Sequence, residues 1–251
     1  MNINAYLEAI TDAQTIEELW DMHCRKMADY GFDRVIYGFT RFRSGTSLGD
    51  PGDFVVLTNY PPEFVSEYIN EGLYFHGPML QWALENDGAC SWKIMEDMEA
   101  SGVLSAQEKR VVEFNRKNGL RAGYTISFSS VSQRSKGGLS LVMPANSSHE
   151  DAEAIWAQHG ADLMVINNVA HLKILTLPYN TAERSLTKRQ REVLEWVGDG
   201  KTMQDIATLM GLTPATVEKH LRLAREALNV DTTAQAVLKA AFQNQMFVIE
   251  R

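Results

Sequence analysis

The chain has 251 residues, 45% of them hydrophobic, which is enough to bury a sizeable core and to divide into two domains. Its formal charge of −8 is uneven: residues 1–183 hold 14 Lys and Arg against 24 Asp and Glu, whereas residues 184–251 hold 10 against 8. An acidic body with a mildly basic tail fits nucleic-acid contact confined to the C-terminal part, and fits two unrelated domains equally well. Cys24 and Cys90 are far apart and lack metal-ligand spacing, so buried reduced thiols are expected. No cationic start with an apolar run follows Met1, and no stretch approaches membrane-spanning length. The expectation is a cytoplasmic protein with no membrane partner.

In chain order, Thr15 with Glu18 opens a helix carrying Leu19, Trp20, Met22 and Met27, and Gly31 ends it. Arg34–Phe42 and Phe54–Asn59 read as strands on either side of a turn-rich run. Pro61 and Pro62 start a short helix with Phe64, Val65, Tyr68 and Ile69, and another follows Pro78. Ser105 with Glu108 opens a helix that stops at Gly119. Residues 122–129 alternate, with Tyr124, Ile126 and Phe128 on one face and Thr125, Ser127 and Ser129 on the other. A loop over 133–138 leads to a strand at 139–143. These hairpin-linked strands predict an antiparallel sheet covered by helices.

A long helix is expected from His149 to Ile174. Trp156, Leu163, Ile166 and Ala170 form one apolar stripe, and Val165, Val169 and Leu172 form a second beside it. Two stripes need two surfaces, and a partner subunit is one candidate for the second. Residues 176–184 lack periodicity and read as a linker between a domain over 1–175 and another over 185–251.

In the tail, Thr187 has Gln190 three places on and Thr202 has Asp205, both capping-box spacings. Thr213 precedes Pro214, and only Met210, Gly211, Leu212 and Thr213 separate two helical patterns, which is the helix-turn-helix signature. Val217, Leu221, Ala224 and Leu228 face a core, while Thr216, Glu218, Lys219, Arg222 and Arg225 turn away from it. Phosphates need cations and base edges need forked donors, so Thr216, Glu218, Lys219 and Arg222 are the candidate DNA-binding residues.

This tail resembles the DNA-binding domain of LuxR-type bacterial regulators from Leu186 to Gln243. The matching residues are Leu186-Thr187, Glu192-Val193-Leu194, Gly200-Lys201-Thr202, Ile206-Ala207, Thr216-Val217, His220-Leu221 and Thr232 to Val237. Lys188 stands where the family usually has Pro, and Gln190 where it has Glu. The N-terminal region resembles the same family's acyl-homoserine-lactone-binding domain at fewer positions. Asn59-Tyr60-Pro61 precedes Phe64 and Tyr68, which fall on the family's W-x-x-x-Y motif. Gly77-Pro78 falls on its Asp-Pro pair, Trp92 on a later aromatic, Gly123 on a Gly, and Ser140 on a Ser or Thr.

The resemblance implies an α+β chain: an α-β-α sandwich around an antiparallel sheet, then a four-helix helix-turn-helix domain. It implies a homodimer on a palindromic DNA operator, with an N-acyl-homoserine lactone as small-molecule autoinducer and no cofactor or metal. In the family the Trp indole meets the ring carbonyl, the Asp carboxylate takes the amide N–H, and hydroxyls serve the amide carbonyl. The candidate ligand-binding residues are therefore Tyr60, Phe64, Tyr68, Gly77, Trp92 and Ser140. Phe64 cannot donate and Gly77 cannot accept, so a solo regulator that reads another apolar ligand, or none, is the alternative.

Catalysis is not expected. The six histidines show no HExxH spacing, no serine sits in G-x-S-x-G, and Gly137-Gly138 is no phosphate loop. A phosphorylated receiver would open on a strand followed by an acidic pair, and this chain opens on a helix.

Overall fold

The computed structural model describes residues 2–45, 47–179 and 184–248. They form two compact units, Met1–Leu175 and Thr176–Arg251.

The first unit is built on a five-stranded antiparallel sheet: β1 (Arg34–Thr40), β2 (Val55–Thr58), β3 (Gly88–Ser91), β4 (Gly123–Phe128) and β5 (Lys136–Val142). Their order is β2-β1-β5-β4-β3. Three helices cover one face: α1 (Ile3–Asp12), α2 (Ile16–Asp29) and α7 (His149–Ile174). The other face carries α3 (Pro62–Val65), α4 (Pro78–Glu85), α5 (Ile94–Ala100) and α6 (Ala106–Lys117). A π turn over Ser66–Asn70 and a 3-10 turn over Leu73–His76 join α3 to α4. The α-β-α sandwich matches the expected fold class.

Local chemistry fixes the helix starts. Thr15 accepts from the Glu18 N–H, and Ser105 with Glu108 and Ser148 with Asp151 close capping boxes. The helix α1, capped by Asn2, and the short α5 and β3 did not stand out as elements in the sequence. The fifth strand begins at Lys136, three residues before the expected start, because Gly137 and Gly138 pair as strand residues with Phe39 and Gly38. A Cβ on Gly137 would lie 3.0 Å from both the His171 and Phe39 rings, so glycine here serves close packing and is not a turn signal. Gly123 is held similarly, since a Cβ there would meet the Leu141 carbonyl at 2.2 Å.

Alternation along β4 does not separate core from solvent, because all six residues are buried. Tyr124, Ile126 and Phe128 face α7, where the Tyr124 and Phe128 rings stack on Trp156 and His171. That side also holds a polar lock. Asn167 donates to the Leu163 carbonyl, so its Oδ1 accepts from His23 Nε2 at 3.1 Å, and His23 Nδ1 accepts from the Tyr6 hydroxyl at 2.7 Å. One histidine thereby ties α1, α2 and α7 together. The Tyr37 hydroxyl and His171 Nδ1 share a second buried hydrogen bond of 2.8 Å.

The stripe of Leu163, Ile166 and Ala170 on α7 is buried, with Trp156 half-buried; Val165 and Leu172 of the second stripe are 51% and 62% exposed. Cys24 and Cys90 are free and only half-buried, less enclosed than expected.

The second unit holds α8 (Lys188–Gly198), α9 (Met203–Met210), α10 (Pro214–Ala227) and α11 (Thr233–Phe242). Val193, Leu194, Ile206, Val217, Leu221, Ala224 and Leu228 form its core with Ala236 and Ala240. Of the expected linker, residues 180–183 lie outside the described residues. Leu177 is buried and its carbonyl accepts from Asn244 at 3.0 Å, so this end is fastened within the second unit.

Candidate functional site

The second face of the sheet is where the sequence-predicted ligand residues meet. Tyr60, Phe64, Tyr68, Gly77, Trp92 and Ser140 all line one cavity of about 170 Å³ between the sheet and α3–α6. Its floor is the row Ile36, Ser140 and Thr125, which are register partners across β1, β5 and β4. One wall is aromatic. Tyr60 stacks on Phe64 at 4.5 Å between ring centroids, and Phe64 lies 5.0 Å from Tyr68 and 5.2 Å from Phe114. Tyr74 continues the wall 6.5 Å from Tyr68, with Phe54 set edge-on beyond it. A mostly apolar pocket with a few fixed polar groups suits a small molecule that is largely hydrocarbon.

The polar groups form two sets. In the first, Trp92 Nε1 donates to Thr125 Oγ1 at 2.8 Å, and Thr125 Oγ1 lies 3.2 Å from Ser140 Oγ. The indole proton is thus spent on a side chain, and the two hydroxyls, one donating to the other, keep one proton for an acceptor. In the second set, the Tyr74 hydroxyl and Asn115 Oδ1 are buried without a hydrogen-bond partner among the described residues. Burial pushes the Tyr68 and Tyr74 phenols up to about 12 and raises Tyr60 further, so all three remain O–H donors near neutral pH.

Gly77 is buried beside Tyr68. A Cβ there would lie 3.1 Å from the Tyr74 carbonyl oxygen and 3.3 Å from the Tyr68 hydroxyl. The phenol therefore occupies the space that a side chain at 77 would need. His76, next to it, is exposed and does not line the cavity.

Thr125, Tyr74 and Asn115 escaped the sequence reading. Thr125 was legible as the polar face of an alternating strand opposite Ser140. Asn115 was legible as a polar residue four places after buried Val111 on an inward helix face. Tyr74 gave no local signal, because its turn depends on tertiary packing.

In the second unit, Gly211 adopts φ +64 and ends α9, with the Leu212 N–H bonded to the Ala207 carbonyl at 2.8 Å. Thr213 caps α10 and Pro214 begins it. Glu218, Lys219 and Arg222 are exposed on the face opposite Val217 and Leu221, and Thr216 is half-buried at the same end. Arg225 holds Glu218 at 3.0 Å, Arg222 pairs with Glu226, and Lys219 has no ion pair among the described residues. Two cations one turn apart on an exposed recognition helix can meet phosphate and base edges together.

Among the described residues no helix is long and apolar enough to cross a membrane.

Comparison with known proteins accounts for both units. The family described as "Autoinducer binding domain" matches residues 15–174, and "Bacterial regulatory proteins, luxR family" matches residues 184–240. The transcriptional activator LuxR of Aliivibrio fischeri is 24% identical over 87% of this chain and 81% of its own length. The transcriptional activator AnoR of Acinetobacter nosocomialis is 26% identical over 93% of this chain and 94% of its own. Among solved structures, SdiA in complex with octanoyl-rac-glycerol aligns over 96% of this chain and 93% of that one, with TM-score 0.53 at 19% identity, a likeness of fold. With a sensor-type pocket in one unit and a helix-turn-helix in the other, the chain belongs to the LuxR family of quorum-sensing transcription regulators, in which an autoinducer-binding domain is joined to a DNA-binding domain.

Proposed function

We propose that residues 1–175 bind an N-acyl-homoserine lactone and that residues 185–251, after a linker at 176–184, bind a palindromic operator as part of a cytoplasmic homodimer. The observation that carries the lactone reading is the convergence of Tyr60, Tyr68, Trp92, Ser140, Phe64 and Gly77 on one apolar cavity. In this reading Tyr60, Tyr68 and Ser140 serve the amide carbonyl, and Trp92 covers the ring. Dimerisation follows from the small footprint of one recognition helix and from the exposed Val165 and Leu172 stripe. The second reading, a regulator of a different apolar ligand or of none, is favoured by Phe64 and Gly77, which withhold one donor and one acceptor.

Thermal melts with a panel of short, long and 3-substituted acyl-homoserine lactones separate the two. A lactone present at a hundredfold its dissociation constant should stabilise the fold by about 2.7 kcal/mol. Tyr60→Phe should remove much of that shift. A flat response across the whole panel would discard the lactone and leave the DNA-binding assignment standing.

A further inference from the structure

Two residues that line the cavity carry a buried polar atom without a partner among the described residues: the Tyr74 hydroxyl, on a side chain only 8% exposed, and the Oδ1 of Asn115. Leaving such groups unpaired in the interior is costly, so they mark where a ligand's own polar atoms belong. One is a donor and the other an acceptor. Together they complement a secondary amide, whose carbonyl accepts and whose N–H donates.

We infer that Asn115 is a specificity-determining residue that accepts the amide N–H of an N-acyl ligand through Oδ1, while Tyr74 donates to a carbonyl of the same ligand. This rests on the reading of the cavity as an acyl-amide site. Gly77 offers no acceptor, and the Tyr68 hydroxyl fills the space beside it. The acceptor comes instead from α6, which packs against the 3-10 turn carrying Tyr74. That helix is fixed. The Arg34 guanidinium donates to the carbonyls of Asn118 and Gly119 at its C-terminal end and to that of Met143 beyond β5, at 2.9 to 3.1 Å. The backbone that carries Asn115 is therefore held in position before any ligand arrives.

A neutral amide oxygen takes an N–H where an ester offers none. The cavity should thus prefer an acyl amide to the matching acyl ester, which differs only in having oxygen in place of N–H. The test is calorimetry on the full chain with N-octanoyl-L-homoserine lactone and with the corresponding octanoyloxy lactone. Wild type should bind the amide roughly five- to a hundredfold tighter. Asn115→Leu should remove that preference by weakening the amide alone, and Asn115→Asp, which keeps an acceptor, should retain it. Tyr74→Phe should weaken amide and ester alike. Melts without ligand identify any variant that has lost its fold, and Asn115→Ala, which also removes the acceptor, then carries the comparison. Equal binding of amide and ester by wild type, unchanged in Asn115→Leu, would overturn the role of Asn115 and leave the lactone reading intact. Binding of neither compound would overturn both.

Discussion

The two histidines buried behind the sheet make the first unit sensitive to mild acid. His23 and His171 are both pushed down to about 4, in each case chiefly by burial; the Asn167 bond opposes this at His23, and the Arg41 charge adds to it at His171. Each is neutral in the fold, His23 with its single proton directed at Asn167 and its other nitrogen taking the Tyr6 hydroxyl. The unfolded chain binds a proton on each below about pH 6.5, whereas the folded chain refuses it until about pH 4. Stability is therefore fully present above pH 6.5 and is lost progressively as the pH falls toward 4. Lowering the pH from 7 to 5 crosses about 1.5 units of that window at about 1.4 kcal/mol per unit, roughly 2 kcal/mol for each histidine and about 4 for both. The lowered carboxyls of Asp87 and Asp151 act at more acidic pH, so they do not blur this range. Urea unfolding at a series of pH values, followed by near-ultraviolet circular dichroism, measures the slope. His23→Gln with His171→Gln should flatten it, whatever the variant's absolute stability. An unchanged midpoint for wild type between pH 7 and 5, or an equal slope in the double variant, would refute the reasoning.

Two further outcomes concern the surfaces. Arg222→Ala should cost about 1–3 kcal/mol of operator binding and relax sequence preference, whereas Lys219→Ala should weaken all sites alike and flatten the salt dependence; unchanged affinity and selectivity in a gel-shift titration of Arg222→Ala would reverse the assigned face of α10. Glu at both Val165 and Val169 should leave monomers in light scattering if the second stripe of α7 joins subunits, and a persisting dimer would move the interface elsewhere, with the exposed Leu238 and Phe242 of α11 next to be tested.

What the sequence made legible was whatever local chemistry decides. The capping pairs at Thr187, Thr202 and Ser105 need only a hydroxyl and an acceptor three residues on, and all three form. The stripe of Val217, Leu221 and Ala224 follows from the helical period alone, and it is buried. The six ligand positions came from resemblance and meet in one cavity, though residue type alone did not bring them together. Less legible were positions whose meaning depends on distant neighbours. Gly137 and Gly138 carry turn chemistry, yet the rings of Phe39 and His171 leave no room for a side chain at 137 and the strand runs through. The spacing of β4 read as two unlike faces. Only the packing shows that both are buried and that the polar one, with Thr125 and Ser127, faces the pocket helices, where Ser127 donates to the Ala83 carbonyl at 2.7 Å.

The polar groups on the sheet's two faces differ in what lies beside them, and on one side that is a cavity with room for a ligand. Toward α1, α2 and α7 the hydroxyls and imidazoles of Tyr6–His23–Asn167 and Tyr37–His171 pair with one another, while the Trp20 indole N–H beside them is buried without a partner among the described residues. On the cavity side, Trp92, Thr125 and Ser140 satisfy one another in part, while Tyr74 and Asn115 are left unpaired. Each unpaired group burdens the ligand-free fold by about 1–3 kcal/mol. A ligand that pairs both relieves that cost as it binds, and so stabilises the domain by more than its apolar contacts alone supply. Because relief requires a donor and an acceptor together, a purely hydrocarbon occupant of the same cavity gains only the burial of its chain. The groups that weaken the empty domain are thus the ones that let it distinguish a signal from an alkane.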